Sequence, residues 1–108
     1  MANTFKNYFN KSVGTSAATV YTCPSATQTT VIGMSIGNTT TSPITCDVYV
    51  TSSAVDYYLV KGATVPVGGS LVPIGGDQKL CLEAADVLKV VSSAASSADV
   101  ICSLLEIA

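Results

Sequence analysis

The chain has 108 residues, of which 48% are hydrophobic and only 11% are charged, and its net charge is −2. This length suits a single domain with one core, and the absence of histidine excludes the usual Ser–His and Cys–His pairs of nucleophilic enzymes. Five scattered lysines form no basic patch for nucleic acid, and no apolar run approaches the ~18–20 residues that a membrane-spanning helix needs.

The first twelve residues differ in composition from the rest and are predicted to form a short N-terminal arm, 1–12, ahead of a domain at 13–108. Phe5, Tyr8 and Phe9 follow the i, i+3, i+4 spacing that would place them on one face of a helical turn. Two outcomes are open: the arm folds back and plugs its own sandwich, or it docks on a neighbouring subunit with aromatic anchors. The residues predicted to make these contacts are Phe5, Lys6, Tyr8 and Phe9.

Alternating apolar and polar residues predict about eight short strands after the arm, at 18–23, 30–37, 44–50, 55–61, 70–74, 78–83, 87–92 and 98–107. The chain is organised around the second of these strands, in which Ile32, Met34 and Ile36 share one face. Val31 and several small residues occupy the other face. Gly33 and Gly37, in the interior of this strand, suggest that another backbone or a partner comes close.

Polar turns between these strands predict two hairpins, at 28–51 and 78–92. The segment 80–91 could form a helix on propensity alone, but its β-branched ending and the alternation on both sides favour the hairpin. Frequent turn signals and the lack of a convincing core helix favour an all-β fold. We predict an antiparallel β-sandwich, jelly-roll-like, with the arm at its N-terminus.

The cysteines do not have the spacing of a metal site. Cys23, Cys46, Cys81 and Cys102 lie more than 20 residues apart along the chain, and no C-x-x-C pair occurs. We therefore expect no metal and no cofactor. In a reducing cytoplasm the four thiols would be buried and act as small hydrophobic side chains. The alternative is that these cysteines form disulfides between subunits once an assembled particle enters an oxidising medium.

The low charge content suggests that other subunits cover much of the surface. An average globular chain carries about 25% charged residues, so the outside of this chain is left largely to Thr, Ser, Ala and Gly. We therefore expect a homo-oligomer, although a small Ser/Thr-rich monomer is the alternative. The N-terminus shows no apolar signal-peptide core, which favours synthesis in a cytoplasm.

Several segments carry a resemblance to known proteins: Phe5-Lys6 with Gly14-Thr-Ser, TTVIGMSIGNTT at 29–40, DYYLVKGATVPVGGSL at 56–71, GGDQKL at 75–80 and VSSAASSADVICSLLEI at 91–107. Over residues 5–107 the chain resembles small structural proteins from the virions of tailed bacteriophages. The resemblance implies a β-sandwich accessory protein present in many copies, which decorates the capsid or the head–tail neck. Its implied partners are capsid, neck or tail subunits. These patterns mark strands and turns, so they transfer no catalytic residue, and the four cysteines depart from the strand residues expected there.

The leading expectation is therefore a non-enzymatic, oligomeric structural protein of a phage virion, assembled in the cytoplasm of a bacterial host. A carbohydrate- or host-surface-binding module of a tail or fibre is the alternative, because β-sandwiches also carry such sites. Tyr49, Tyr57 and Tyr58 would be its stacking residues, although Tyr57 is expected to pack in the core.

Overall fold

Alternating side chains along nine strands build two antiparallel sheets in a computed structural model, which describes residues 3–75 and 78–108. The strands are β1 (Asn3–Val13), β2 (Ala18–Thr22), β3 (Gln28–Asn38), β4 (Ile44–Ser52), β5 (Val55–Val65), β6 (Ser70–Ile74), β7 (Leu80–Leu82), β8 (Val87–Ser92) and β9 (Ala98–Ile107). Sheet I has the order β1-β9-β3-β6, with β7 also paired to β3, and sheet II has the order β2-β8-β4-β5. The predicted antiparallel β-sandwich is confirmed.

The two sheets enclose one core of aliphatic side chains. Ile36 and Leu104 from sheet I and Val48, Leu88 and Val90 from sheet II are fully buried. Along β8, Leu88 and Val90 point inward and their neighbours outward, as the alternation of the sequence predicts. No helix of the described ranges is long and apolar enough to cross a membrane.

A β-bulge in β3 changes which side chains of that strand face the core. The pairing of β3 with β9 shifts register between Val31 and Gly33, so the side-chain alternation reverses at this point. Val31, Met34 and Ile36 are buried, whereas Ile32 is only partly buried. The prediction that Ile32 shares one face with Met34 and Ile36, opposite Val31, is therefore wrong, because the extra residue shifts the two-residue period.

Both predicted hairpins are wrong, although their strands are present. In the segment 28–51, β3 belongs to sheet I and β4 to sheet II; in the segment 78–92, β7 belongs to sheet I and β8 to sheet II. Each connection therefore crosses from one sheet to the other. At the first crossing, the buried side chain of Asn38 donates hydrogen bonds to the carbonyl oxygens of Ser42 (2.9 Å) and Val65 (3.1 Å), so its amide satisfies backbone groups at the corner. Among the described strands, the pair β4–β5 forms the true hairpin.

The helical turn predicted for the N-terminal arm is also wrong. Residues 3–13 form the edge strand β1, which pairs with β9 from Asn3 opposite Ile107 to Val13 opposite Ala98. Residues 1 and 2 lie outside the described ranges. The side-chain period is therefore two rather than 3.6, and Phe5 and Phe9 lie on the opposite face of the strand from Tyr8.

Candidate assembly surface

The outer surface of sheet I carries two groups of exposed apolar side chains with Asn7 and Ser103 between them, and we call it the apolar face. Its side chains form three rows across the strands: Phe5–Leu105–Thr30–Cys81, then Asn7–Ser103–Gly33, then Phe9–Ile101–Ser35. The aromatic side chains of Phe5 and Phe9 are 75% and 67% exposed, and Ile101 between β1 and β3 is 53% exposed. Large apolar side chains that are adjacent and exposed in this way are typical of a surface that another molecule covers.

Charge is absent from the three rows and appears only beside them. Lys11 and Asp99 form an exposed ion pair at one end of the face, with 3.5 Å between Nζ and Oδ2. A hollow of about 310 Å³ lies beside Phe5 and is lined in part by Ile32 and Ser103. A second hollow, of about 240 Å³, lies beside Phe9. The face thus combines projecting aromatic rings with shallow depressions.

A polar network under the edge of the face, buried at Tyr21, Thr29 and Glu106 and exposed at Lys6, holds β1 to the rest of the sandwich. The Nζ of Lys6 lies 3.0 Å from Oε1 of Glu106, and the hydroxyl of Tyr21 donates a 2.6 Å hydrogen bond to Oε2 of the same carboxylate. The Tyr21 hydroxyl also lies 2.8 Å from the hydroxyl of Thr29. Because these residues come from β1, β9, β2 and β3, the network links both sheets.

The network shifts the ionisation of its members. Hydrogen bonds from Tyr21 and Lys6 lower the pKa of Glu106 below its ordinary value, and the hydrogen bond to Glu106 raises the pKa of Lys6. Burial, reinforced by the hydrogen bond to Glu106, raises the pKa of Tyr21, so the phenol stays protonated. No local sequence pattern predicts this cluster, because Lys6 and Glu106 are 100 residues apart in the chain.

The structure separates the four predicted arm residues into two roles. Phe5 and Phe9 lie on the apolar face, where Ile101 and Leu105 of β9 join them. Lys6 and Tyr8 point to the inner side: Lys6 pairs with Glu106, and the ring of Tyr8 lies 5.0 Å from that of Tyr21, centroid to centroid. The outward positions of Ile101 and Leu105 could have been read from the alternation of the last strand.

The four cysteines also divide, with three in the core and one at the surface. Cys23, Cys46 and Cys102 are buried, whereas Cys81 is exposed on β7, and none of the four is paired within the chain. A disulfide between folded subunits needs accessible sulfur atoms, so burial removes the three core cysteines from the predicted inter-subunit thiols. The prediction remains for Cys81, which lies at the end of the row that begins with Phe5.

Comparisons with known proteins support the fold. Neither the family models nor the curated proteins match this sequence. Among solved structures, the chain is similar to a protein of Bacillus endospore appendages, which are described as a novel family of disulfide-linked pili. The match has a TM-score of 0.54 at 15% identity and covers 96% of this chain and 86% of the other. At this identity the similarity shows a shared sandwich fold.

We expect the native chain to react with a thiol reagent at Cys81 alone. The thiols of Cys23, Cys46 and Cys102 are buried, out of reach of the reagent. Only the thiolate reacts, and burial also raises the pKa of Cys102 to about 11 and that of Cys46 above its ordinary value. Iodoacetamide at about pH 8, added to the chain at a concentration low enough to keep it monomeric, should therefore add one label to the folded protein and four after denaturation, as counted by mass spectrometry. The variant Cys81→Ser should take up no label while folded. Rapid labelling of Cys102 in the native chain would contradict the buried position of its thiol.

The tyrosines of the carbohydrate-binding alternative lie around β5. Tyr57 is 59% exposed, so the prediction that it packs in the core is wrong: it lies in the hairpin β4–β5, next to the turn. The ring of Tyr58 is contacted by the ring of Tyr49, at 4.9 Å between centroids, and by Nζ of Lys61, at 4.4 Å from the centroid. These contacts leave less of the Tyr58 ring free for a sugar to stack on it.

Proposed function

We propose that this chain is a non-enzymatic structural subunit, present in many copies on the virion of a tailed bacteriophage. In that role it decorates or cements the capsid or the head–tail neck, after assembly in the host cytoplasm. The observation that carries the proposal is the apolar face, with Phe5 and Phe9 exposed on a stable edge strand. The resemblance of the strand and turn segments to phage virion proteins is the reason for proposing a phage virion as the particle.

The physical argument is that the apolar face is unfavourable in water and favourable in an assembly. Burying apolar surface stabilises a contact by about 25 cal/mol per Å², and a particle repeats the same contact at every copy. The three rows of the apolar face carry no charged side chains, so no charge loses its water and needs a new partner when the face is covered. The similar appendage protein, which belongs to disulfide-linked pili, supports a sandwich of this kind as a unit of large assemblies.

We expect virions of the phage that carries this gene, purified from its host, to contain the chain in many copies. Quantitative mass spectrometry of the particles measures the copy number relative to the major capsid protein. The double variant with Phe5→Ser and Phe9→Ser should fold, because both phenylalanine side chains are mostly exposed. It should nevertheless be lost from the particles. The matched control is Tyr57→Ser, which removes another mostly exposed aromatic side chain from the hairpin β4–β5 and should leave incorporation unchanged.

Substitution is preferable here to deletion of residues 1–12. Deletion would remove Lys6 from Glu106 and Tyr8 from Tyr21, so a loss of incorporation could reflect unfolding. Absence of the chain from purified particles would overturn the proposed function. Normal incorporation of the Phe5→Ser and Phe9→Ser chain would show that the apolar face is not the contact surface.

A further inference from the structure

The two halves of the apolar face, divided by a line parallel to the strands, differ in the size of their side chains: we call them the large half and the small half. The β1–β9 half carries Phe5, Phe9, Ile101 and Leu105. The outer positions of β3 and β7 in the other half are mostly small and include Thr30, Gly33, Ser35, Gly37 and Cys81, with Ile32 at the bulge as a large exception. Beyond them, β6 exposes a second large side chain, Val72 (60% exposed). A surface of this shape matches a copy of itself that is turned so that large positions meet small ones.

Gly37 of the small half is not required by the chain's own fold, whereas Gly33 adjoins the β-bulge of β3, a place where glycine is common. A Cβ atom on Gly37 would have nothing within 4 Å, and one on Gly33 would lie in ordinary contact, 3.6 Å from the carbonyl oxygen of Ile74. Neither glycine has a positive φ. Because a glycine inside a strand is unfavourable without such a reason, the open space above β3 points to a molecule that approaches the sheet closely.

We propose that the apolar face binds a second copy of this chain, face to face, about a two-fold axis that runs parallel to the strands between β9 and β3. The inference rests on the proposed assembly role and names the partner of the same surface. The axis places β9 of one copy over β3 of the other, so Ile101 lies over the partner's Ser35. It also exchanges the ends of the first row, so Phe5 lies over the partner's Cys81.

Charge and area favour a second copy over other partners. The three rows contain no charged side chain, so two identical faces meet without like-charge repulsion. Strands β1, β9 and β3 have 11, 10 and 11 residues, and the shorter β6 and β7 beside β3 have 5 and 3. At about 3.4 Å per residue and about 4.8 Å between strands they give about 650 Å² per copy and about 1,300 Å² in total, an area that includes the Lys11–Asp99 pair at one end. This total lies within the range of a stable interface, about 1,200–2,000 Å². An interface made from the same patch on both copies closes as a dimer.

Sedimentation of the purified chain tests whether this face is the interface. The wild-type chain should form a dimer, and Ser35→Lys should weaken the dimer at least about a hundredfold, because it buries a charge under the partner's Ile101. The matched control is Thr45→Lys, at an exposed position of β4 in sheet II, which should leave the dimer unchanged. A wild-type monomer at every concentration, or a dimer that Ser35→Lys leaves intact, would overturn the proposal.

Cross-linking tests the two-fold geometry. The variant Phe5→Cys should form a disulfide with the partner's Cys81 under copper-catalysed air oxidation, and the covalent dimer should be visible on a non-reducing gel. The cross-link should disappear when Cys81→Ser is added to Phe5→Cys. Val55→Cys, an exposed position in the hairpin β4–β5, is the matched control and should not cross-link to Cys81. A dimer without the Phe5→Cys cross-link would overturn this axis.

The two proposals fail in different experiments. If the chain is abundant in phage particles but monomeric in solution, with no Phe5→Cys cross-link, the face-to-face dimer is wrong and the proposed virion role stands. If the chain dimerises through Ser35 and Phe5 but is missing from particles, the dimer stands and the proposed virion role is wrong.

Discussion

Leu104→Ala is expected to lower the free energy of unfolding by about 2–5 kcal/mol. Leu104 lies in the middle of β9, the strand between β1 and β3, and its side chain is fully buried. Truncation removes apolar contacts and leaves a cavity, because the rigid sheets on both sides collapse only in part. Urea unfolding, followed at a protein concentration low enough to keep the chain monomeric, measures the change.

The adjacent residue provides a matched control for this prediction. Leu105 has the same side chain but lies on the apolar face, where it is only partly buried. Leu105→Ala should change the free energy of unfolding by less than about 1 kcal/mol and should instead weaken self-association. Equal or reversed effects of the two substitutions would contradict the register of β9, since a slip of one residue exchanges the two faces of a strand.

The sequence predicts the strands well because alternation is a local property. The predicted ranges 70–74, 87–92 and 98–107 coincide with β6, β8 and β9, and the buried and exposed sides of β8 are correct. The main failure within a strand is at β3, where the bulge between Val31 and Gly33 depends on pairing with β9, about 70 residues away. A local pattern contains no signal for that extra residue.

Strand pairing is harder to predict because it depends on distant partners. Residues 28–51 read as a strand, a polar turn and a strand whether β3 and β4 pair with each other or cross between sheets. The choice is made by β9, β6 and β7, which pair with β3, and by β5 and β8, which pair with β4. The N-terminal segment failed for a related reason: the spacing of Phe5, Tyr8 and Phe9 fits a helical turn, but β9 offers an edge on which a strand satisfies its backbone hydrogen bonds.

The candidate surface was partly visible in the sequence. Phe5 and Phe9 were predicted as contact residues, and the structure places both on one exposed face. Lys6 and Tyr8 were assigned to the same contact because a helical spacing groups them with the phenylalanines, whereas a strand turns them inward. Their inward partners, Glu106 and Tyr21, lie in β9 and β2, so no local pattern joins them to β1.

Glu106→Gln is expected to lower the free energy of unfolding by about 1.5–3 kcal/mol at neutral pH, the range for a hydrogen bond to a charged group. The substitution keeps the shape of the side chain but removes the negative charge that accepts the hydrogen bond from Tyr21 and pairs with Lys6. The carboxylate is largely shielded from water, with 11% of its side chain exposed, so the lost charge is poorly replaced by solvent. Urea unfolding of both proteins at neutral pH measures the difference.

The effect of Glu106→Gln should depend on pH with a defined sign. Hydrogen bonds hold the pKa of Glu106 in the folded chain below its ordinary value of 4.5. Its stabilisation is therefore fully present above pH 4.5 and is lost as the pH falls through the folded pKa, so the two proteins should converge in acid. Asp99→Asn is the matched control, because Asp99 also has a lowered pKa but forms an exposed pair with Lys11, and its effect should be smaller. A difference between wild type and Glu106→Gln that stays constant into acid would show that the charge of Glu106 does not hold β1 to the sandwich.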